Sequence, residues 1–446
     1  MRDGEPPRGA ALGLLVAGRG KTVSREAAEK VLAKVPPESC PCSVTIYVTL
    51  PGAKEHNVRR FRIGVVGDGY HGLLRSDRTK VPGLVSLYDI APTVEALERG
   101  ETPPITSRAS SNPERALAKL DRRLADAHDS RGPAAYVVFG LVALFAVLAL
   151  LARSEFWGRA ALLTGPVALA AALALSGLEI TRPRNVGLAL LLLVGCGAPA
   201  LAAVTRSRLA LAGALLSIFV VYALVLAFST ETSSLAAFGP HPDGGVRFYG
   251  ISNQVETLLL VPGLLGAALL GTALLPVVAV LTLIVVGASG LGADGGGVLV
   301  FAAGFLFLWL RLRNVPLGVR NVALAAGGAI VAGLVLVGID AAAGGSSHVT
   351  RTLGDGPGAL GGELAHRWRV SLDGYVSSWQ ATLIITVSIA VLVWIGLRRP
   401  RDAVVDATLV ALAVSLLVND SPRDVASYGA ISCAALRFWS EAHRVQ

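Results

Sequence analysis

From Pro133 to its end the chain alternates between long apolar runs and short polar breaks. A helix needs about twenty apolar residues to cross the roughly 30 Å hydrocarbon layer of a bilayer. Runs near that length occupy 134–152, 160–178, 186–204, 208–228, 255–271, 272–290, 297–312, 321–341, 378–397, 403–419 and 424–439. They predict a mainly α, polytopic transmembrane helical bundle of about eleven spans, several of them short. Only Gly271-Thr272 separates the fifth run from the sixth, so 255–290 also admits one tilted span. Two spans keep Arg311, Arg313 and Arg320 on the side of the other loop arginines, and the count of eleven rests on that.

Before Pro133 the pattern changes. Gly9 to Gly18 is a short apolar run that reads as a buried strand; it has the length of a signal-peptide core without a convincing cleavage site. Ser24 to Val35 has helical periodicity, and Ser43 to Leu50 and Arg60 to Val66 are strand-like and rich in β-branched residues. Asp89-Ile90-Ala91-Pro92 reads as a capped helix start with proline in its first turn. This alternation predicts a small α/β unit over 1–101. Residues 102–133 read as a polar linker with one helix, Pro113 to Ala127, which leaves 134–446 as the transmembrane domain. Gly20-Lys21-Thr22 has the ending of a phosphate-binding loop, but the first glycine of G-x-x-x-x-G-K-[ST] falls on Leu15 and the motif fails.

Composition supports the membrane reading. Mean hydropathy is +0.60, with 53% hydrophobic and 16% charged residues. A net charge of +9 would point to nucleic acid in a soluble chain. Here every lysine lies at or before Lys119, and most of the later arginines sit in short loops between apolar runs, so the charge serves orientation and no nucleic-acid partner is expected. The clusters Arg153/Arg159, Arg206/Arg208, Arg311/Arg313/Arg320 and Arg398/Arg399/Arg401 share one loop parity. Placing them in the cytoplasm puts the N-terminal unit outside a cell (plasma) membrane and the C-terminus inside. Export of 1–133 then calls for a signal upstream of Met1. Cys196 and Cys433 lie singly in apolar runs and read as packing residues, and Cys40-Pro41-Cys42 lacks a second cysteine pair to complete a tetrahedral metal site.

Four gaps share the outer parity. One carries His241, Asp243, Arg247, Tyr249, Asn253 and Gln254; a second has Asp294 among glycines. The third, 342–377, carries His348, Arg351, Asp355, Glu363, His366, Arg367 and Arg369; the fourth holds Asn419 and Asp420. Carboxylates at span ends are costly without water or a partner, which makes Asp294 and Asp420 the candidate catalytic groups or cation ligands. Asn253 and Gln254 open a helix whose free N–H groups and positive dipole end suit an anion. With Arg247, Tyr249 and Asn419 they are the candidate substrate-binding residues. The structural alternative makes Asp294 and Asp420 helix caps, and Arg247 and Tyr249 interfacial anchors.

Two resemblances add to this. Asp89-Ile90-Ala91-Pro92-Thr93-Val94 is similar to the D-[IL]-x-P-T-[IVL] element of the alkaline phosphatase and sulfatase superfamily. That implies a partial version of its fold outside the cytoplasm. The superfamily's metal-binding Asp/His clusters have no counterparts here, so no hydrolase follows from it. The segments Arg247 to Gln254, Gly292 to Gly296 and Asn419 to Ser421 resemble R-[FY]-Y-G-I-[GS]-N-[EQ], G-A-[DN]-x-G-G and N-D-S segments of multi-pass membrane proteins of high-GC Gram-positive bacteria, which join such a unit to a helical domain. Gln254 stands where that pattern favours a carboxylate, and Pro422 where it favours a small residue.

Together these readings predict a bacterial multi-pass protein that acts on or binds an extracytoplasmic cell-envelope substrate, a lipid-linked or phosphorylated glycan, with the lipid bilayer as its other partner. Metal and cofactor stay open. A transporter or channel for a small solute, with Asp294 and Asp420 on its path, is the competing reading, and a non-catalytic scaffold a third. Glu256, Asp340 and Asp406 read as lying near span ends, which weighs against ion coupling through the bilayer centre.

Overall fold

The computed structural model describes residues 2–16, 22–34, 44–51, 55–56, 60–240, 242, 248–316, 318–342, 369 and 371–445. They fall into two compact units. One comprises Met1–Arg131, Leu175–Pro183 and Ser229–Tyr249, the other Gly132–Ala174, Arg184–Phe228 and Gly250–Gln446. Arg247, His241, Asp243, the Cys40-Pro41-Cys42 segment, and all the residues singled out in 342–377 except Arg369 lie outside the described residues.

Among the described residues the first unit has nine strands: β1 (Arg2–Asp3), β2 (Ala11–Val16), β3 (Thr22–Val23), β4 (Thr45–Val48), β5 (Glu55–His56), β6 (Phe61–Val66), β7 (Leu73–Ser76), β8 (Leu84–Ser86) and β9 (Ile105–Arg108). The main sheet runs β1-β4-β6-β2-β7-β9, with β8 also paired to β2, and β3 and β5 form a separate pair. Strand β2 is central, antiparallel to β6 and parallel to β7 and β8, and all six of its residues are buried. Its unbroken apolar run is that of a strand covered on both faces. Helix α1 (Arg25–Leu32) is capped by Ser24, and α2 (Ile90–Arg99) ends at Gly100 in the left-handed region.

The Asp-x-x-Pro-Thr segment has a structural task in this unit. The buried Asp89 carboxylate accepts hydrogen bonds from Ser76 Oγ and, at 2.6 Å, from Arg78 Nε. Thr93 Oγ1 donates to Asp89 O at 2.7 Å and accepts from Ile105 N at 3.1 Å. One short segment thus ties the start of α2 to the turn after β7 and to edge strand β9.

The stretch expected as a linker is organised differently. It holds β9 and the first half of α3 (Pro113–Ala152), a 40-residue helix that runs on through Pro133 instead of ending at Ala127. Four residues at helical spacing, Lys119, Arg123, Asp126 and Ser130, make one polar face. Lys119 Nζ meets Glu179 at 2.5 Å, Arg123 pairs with Glu231, Asp126 accepts from Thr181 Oγ1 at 2.8 Å, and Ser130 Oγ donates to Thr181 O at 3.0 Å. The opposite face, Leu117, Leu120 and Leu124, packs with Leu12, Leu14, Leu84, Leu235 and Phe248. Residues 175–183 and 229–249 therefore belong with 1–131.

The second unit is helical: the rest of α3, then α4 (Glu155–Gly177), α5 (Pro183–Val204), α6 (Arg208–Phe228), α8 (Asn253–Leu270), α9 (Leu275–Gly287), α10 (Gly295–Leu312), α11 (Val319–Ala342), α12 (Trp379–Leu397), α13 (Ala403–Val418) and α14 (Pro422–Val445), with the short α7 (Thr230–Ser234) in the first unit. Each predicted apolar run is a helix. Seven of them, α3, α4, α5, α6, α8, α10 and α12, are long and apolar enough to cross a membrane, whereas α9 and α13 are apolar but shorter. Segment 255–290 is two helices broken at Gly271, and Ile251 N donates to Gly292 O at 2.8 Å, so the pair leaves one end of the unit and returns to it.

Candidate functional site

Where α8 begins, four polar breaks meet. Ser252 caps α8, its Oγ accepting from Val255 N at 3.3 Å. Asn253 and Glu256 follow one turn apart on one helix face. That face meets the end of α13, where Ser415 and Asn419 share a face at i, i+4. Ser415 Oγ donates to Glu256 Oε1 at 3.0 Å and Asn419 Nδ2 to Glu256 Oε2 at 2.8 Å. Glu256 has 0% exposure. At the rim Asp420 Oδ1 accepts from Asn253 Nδ2 at 3.1 Å and Ser421 Oγ at 3.2 Å. From the 342–377 gap, Ser371 Oγ donates to Asn419 O at 3.1 Å.

Asp294 reaches this cluster because of its glycines. It holds the N-cap position of α10 without a side-chain cap hydrogen bond, and is 1% exposed. A Cβ on Gly296 would lie 2.8 Å from Asn419 Oδ1 and 3.6 Å from Asp294 Oδ1; one on Gly297 would lie 2.9 Å from Asp294 Oδ2. The two side chains fill the space that larger residues would take. Upstream, a Cβ on Gly250 would come within 2.1 Å of Gly292 O, and one on Gly292 within 2.2 Å of Val286 O. These contacts are with backbone, so the turn closes only with glycine at both places.

Asn253, Asp294, Asn419 and Asp420, expected from the sequence to share a site, do converge. Gln254 is buried on α8, and its Oε1 takes no hydrogen bond among the described residues. Tyr249 belongs to the first unit, where Lys80 Nζ stands 4.0 Å from its ring centre. The α8 N-terminus, expected to bind an anion, already faces Asp420 and carries Glu256 in its first turn, and both complement its dipole. Glu256 and Ser415 are the cluster members that the sequence reading did not select. The Asn-x-x-Glu and Ser-x-x-x-Asn spacings, each putting polar groups on one face of an apolar helix, carried the information.

Glu256 lies in the first turn of α8, near the span end as expected, but fully buried. Asp406 likewise sits in the first turn of its helix, α13, but is paired with Arg401 and, at 3.0 Å, with Arg311. Among the described residues no group of three or more His, Cys, Asp or Glu side chains is placed to hold a metal ion. Comparison with protein families, curated proteins and solved structures returned no match.

Proposed function

We propose that this chain is an integral membrane protein of about eleven spans whose carboxylate and amide cluster at the start of α8 binds or acts on a hydroxyl-rich cell-envelope substrate, a lipid-linked or phosphorylated glycan. The observation that carries this reading is the fully buried Glu256, fixed by Ser415 and Asn419 one turn from the Asn253–Asp420 pair. Such an array matches sugar hydroxyls, which donate to carboxylates and accept from amide N–H groups. Asp294 and Asp420 are the groups suited to take up a hydroxyl proton or hold a cation. Arg247 is the group for a phosphate. The arginine loops support an orientation with the N-terminal unit and the cluster on the outer side. In this reading residues 1–101 form an extracytoplasmic unit akin to the alkaline phosphatase superfamily that does no hydrolysis.

The test uses the full chain in lipid nanodiscs with a polyprenyl-diphosphate-linked disaccharide, read by native mass spectrometry. Wild type should retain the ligand, and Asp420→Asn combined with Asp294→Asn should lower occupancy at least tenfold. Equal occupancy in both proteins, or none in wild type, sinks the reading.

One observation favours a second function. A carboxylate wholly buried in an apolar helix is also what a cation-coupled transporter uses. Potential-driven sodium or proton uptake into proteoliposomes, abolished by Glu256→Gln, would establish it.

A further inference from the structure

At the far end of α8 lies a chamber of a different character. Asn253 and Leu269 are separated by about 24 Å along the helix axis. Around Leu265 and Leu269 the second unit forms a half-open pocket of about 350 Å³, within the roughly 300–1,000 Å³ range of small-ligand sites. Arg159, Arg206 and Arg208 line one side, and Leu211, Leu265 and Leu269 line another. Arg206 and Arg208 are exposed, whereas Arg159 is 9% exposed. Arg159 Nη1 donates to Glu155 at 3.3 Å, and its Nε has no hydrogen-bond partner among the described residues.

A guanidinium buried with a donor unmet is destabilising until an acceptor arrives. The three arginines outnumber the acidic groups of the lining, Glu155 and Asp402, by one. The chamber is therefore charged at one side, apolar at the other, and short of one negative charge.

From this geometry we infer that the chamber binds a phosphate-ester anion through Arg159, Arg206 and Arg208. The anion comes either on a lipid, whose chain follows the leucine wall, or as a soluble phosphate compound. Guanidinium groups match phosphate oxygens in pairs, and basic pockets between membrane helices are suited to acidic headgroups. The site stands apart from the cluster at the start of α8 and does not depend on its function.

The test purifies the full chain from membranes containing phosphatidylglycerol and phosphatidylcholine and counts retained lipid by native mass spectrometry. Inorganic phosphate is then titrated against thermal stability. The double variant Arg206→Gln/Arg208→Gln removes the exposed pair with little risk to folding, and Arg320→Gln, an exposed arginine outside the chamber lining, is the control. Retained phosphatidylglycerol that falls at least tenfold in the double variant, but not in the control, supports the site with a lipid as its source. Stabilisation of wild type by millimolar phosphate, lost in the double variant and without retained lipid, supports it with a soluble source. A double variant that matches wild type in both readouts, or a wild type that responds in neither, overturns the inference.

Discussion

At the scale of single residues, the glycines and buried amides are the sharpest points of leverage. Gly292→Ala would drive a methyl group into the Val286 carbonyl, which belongs to a helix end that cannot swing aside. It should cost about 3 kcal/mol or more and abolish a monodisperse peak in size-exclusion chromatography. Gly290→Ala, with open space around it, should behave as wild type. Asn419→Ala should cost about 1–3 kcal/mol by leaving Glu256 short of a donor, seen as a lower melting temperature. In the first unit Asp89→Ala leaves Arg78 half-buried without its carboxylate and should cost about 3 kcal/mol. The Asp-x-x-Pro-Thr and Gly-Ala-Asp-Gly-Gly-Gly segments stood out in the sequence, but their tasks did not. Each depends on partners outside the segment: Ile105, twelve residues on, for Thr93, and the distant Asn419 for Gly296.

At the scale of elements, apolar periodicity showed the helices well, because a run of apolar residues long enough to span a bilayer is legible without tertiary information. The first half of α3 was not, since its polar face looks like a solvated linker until Glu179, Thr181 and Glu231 are set against it. Those residues come from breaks some fifty to one hundred positions later. The hydrogen bond from Lys119 lowers the Glu179 pKa below its ordinary 4.5, against a smaller opposing effect of burial. A carboxylate with a depressed folded pKa contributes stability above its unfolded value and loses it as pH falls through the folded one. The stability gap between wild type and Glu179→Gln should therefore be present at neutral pH and close below about pH 4.5, as measured by thermal melts across the acid limb. The gap should be small, because the pair is half exposed and screened.

At the scale of the whole molecule, the arginine parity predicts that a cysteine at Leu178 is labelled by a membrane-impermeant maleimide added outside intact cells, and a cysteine at Ser207 only after lysis. The reverse pattern would invert the orientation and move the carboxylate cluster to the cytoplasm. Helix α9 carries a further consequence. Its 13 residues present Val277, Val280, Leu281 and Ile284 outward as exposed apolar side chains, yet at 1.5 Å per residue it is only about 20 Å long. A bilayer meeting that flank has to thin, crowd or tilt around it, a mismatch that costs a fraction of a kcal/mol per ångström. The protein should therefore melt higher in nanodiscs of fourteen-carbon than of eighteen-carbon lipids. In a membrane of uneven thickness it should collect where the sheet is thinnest.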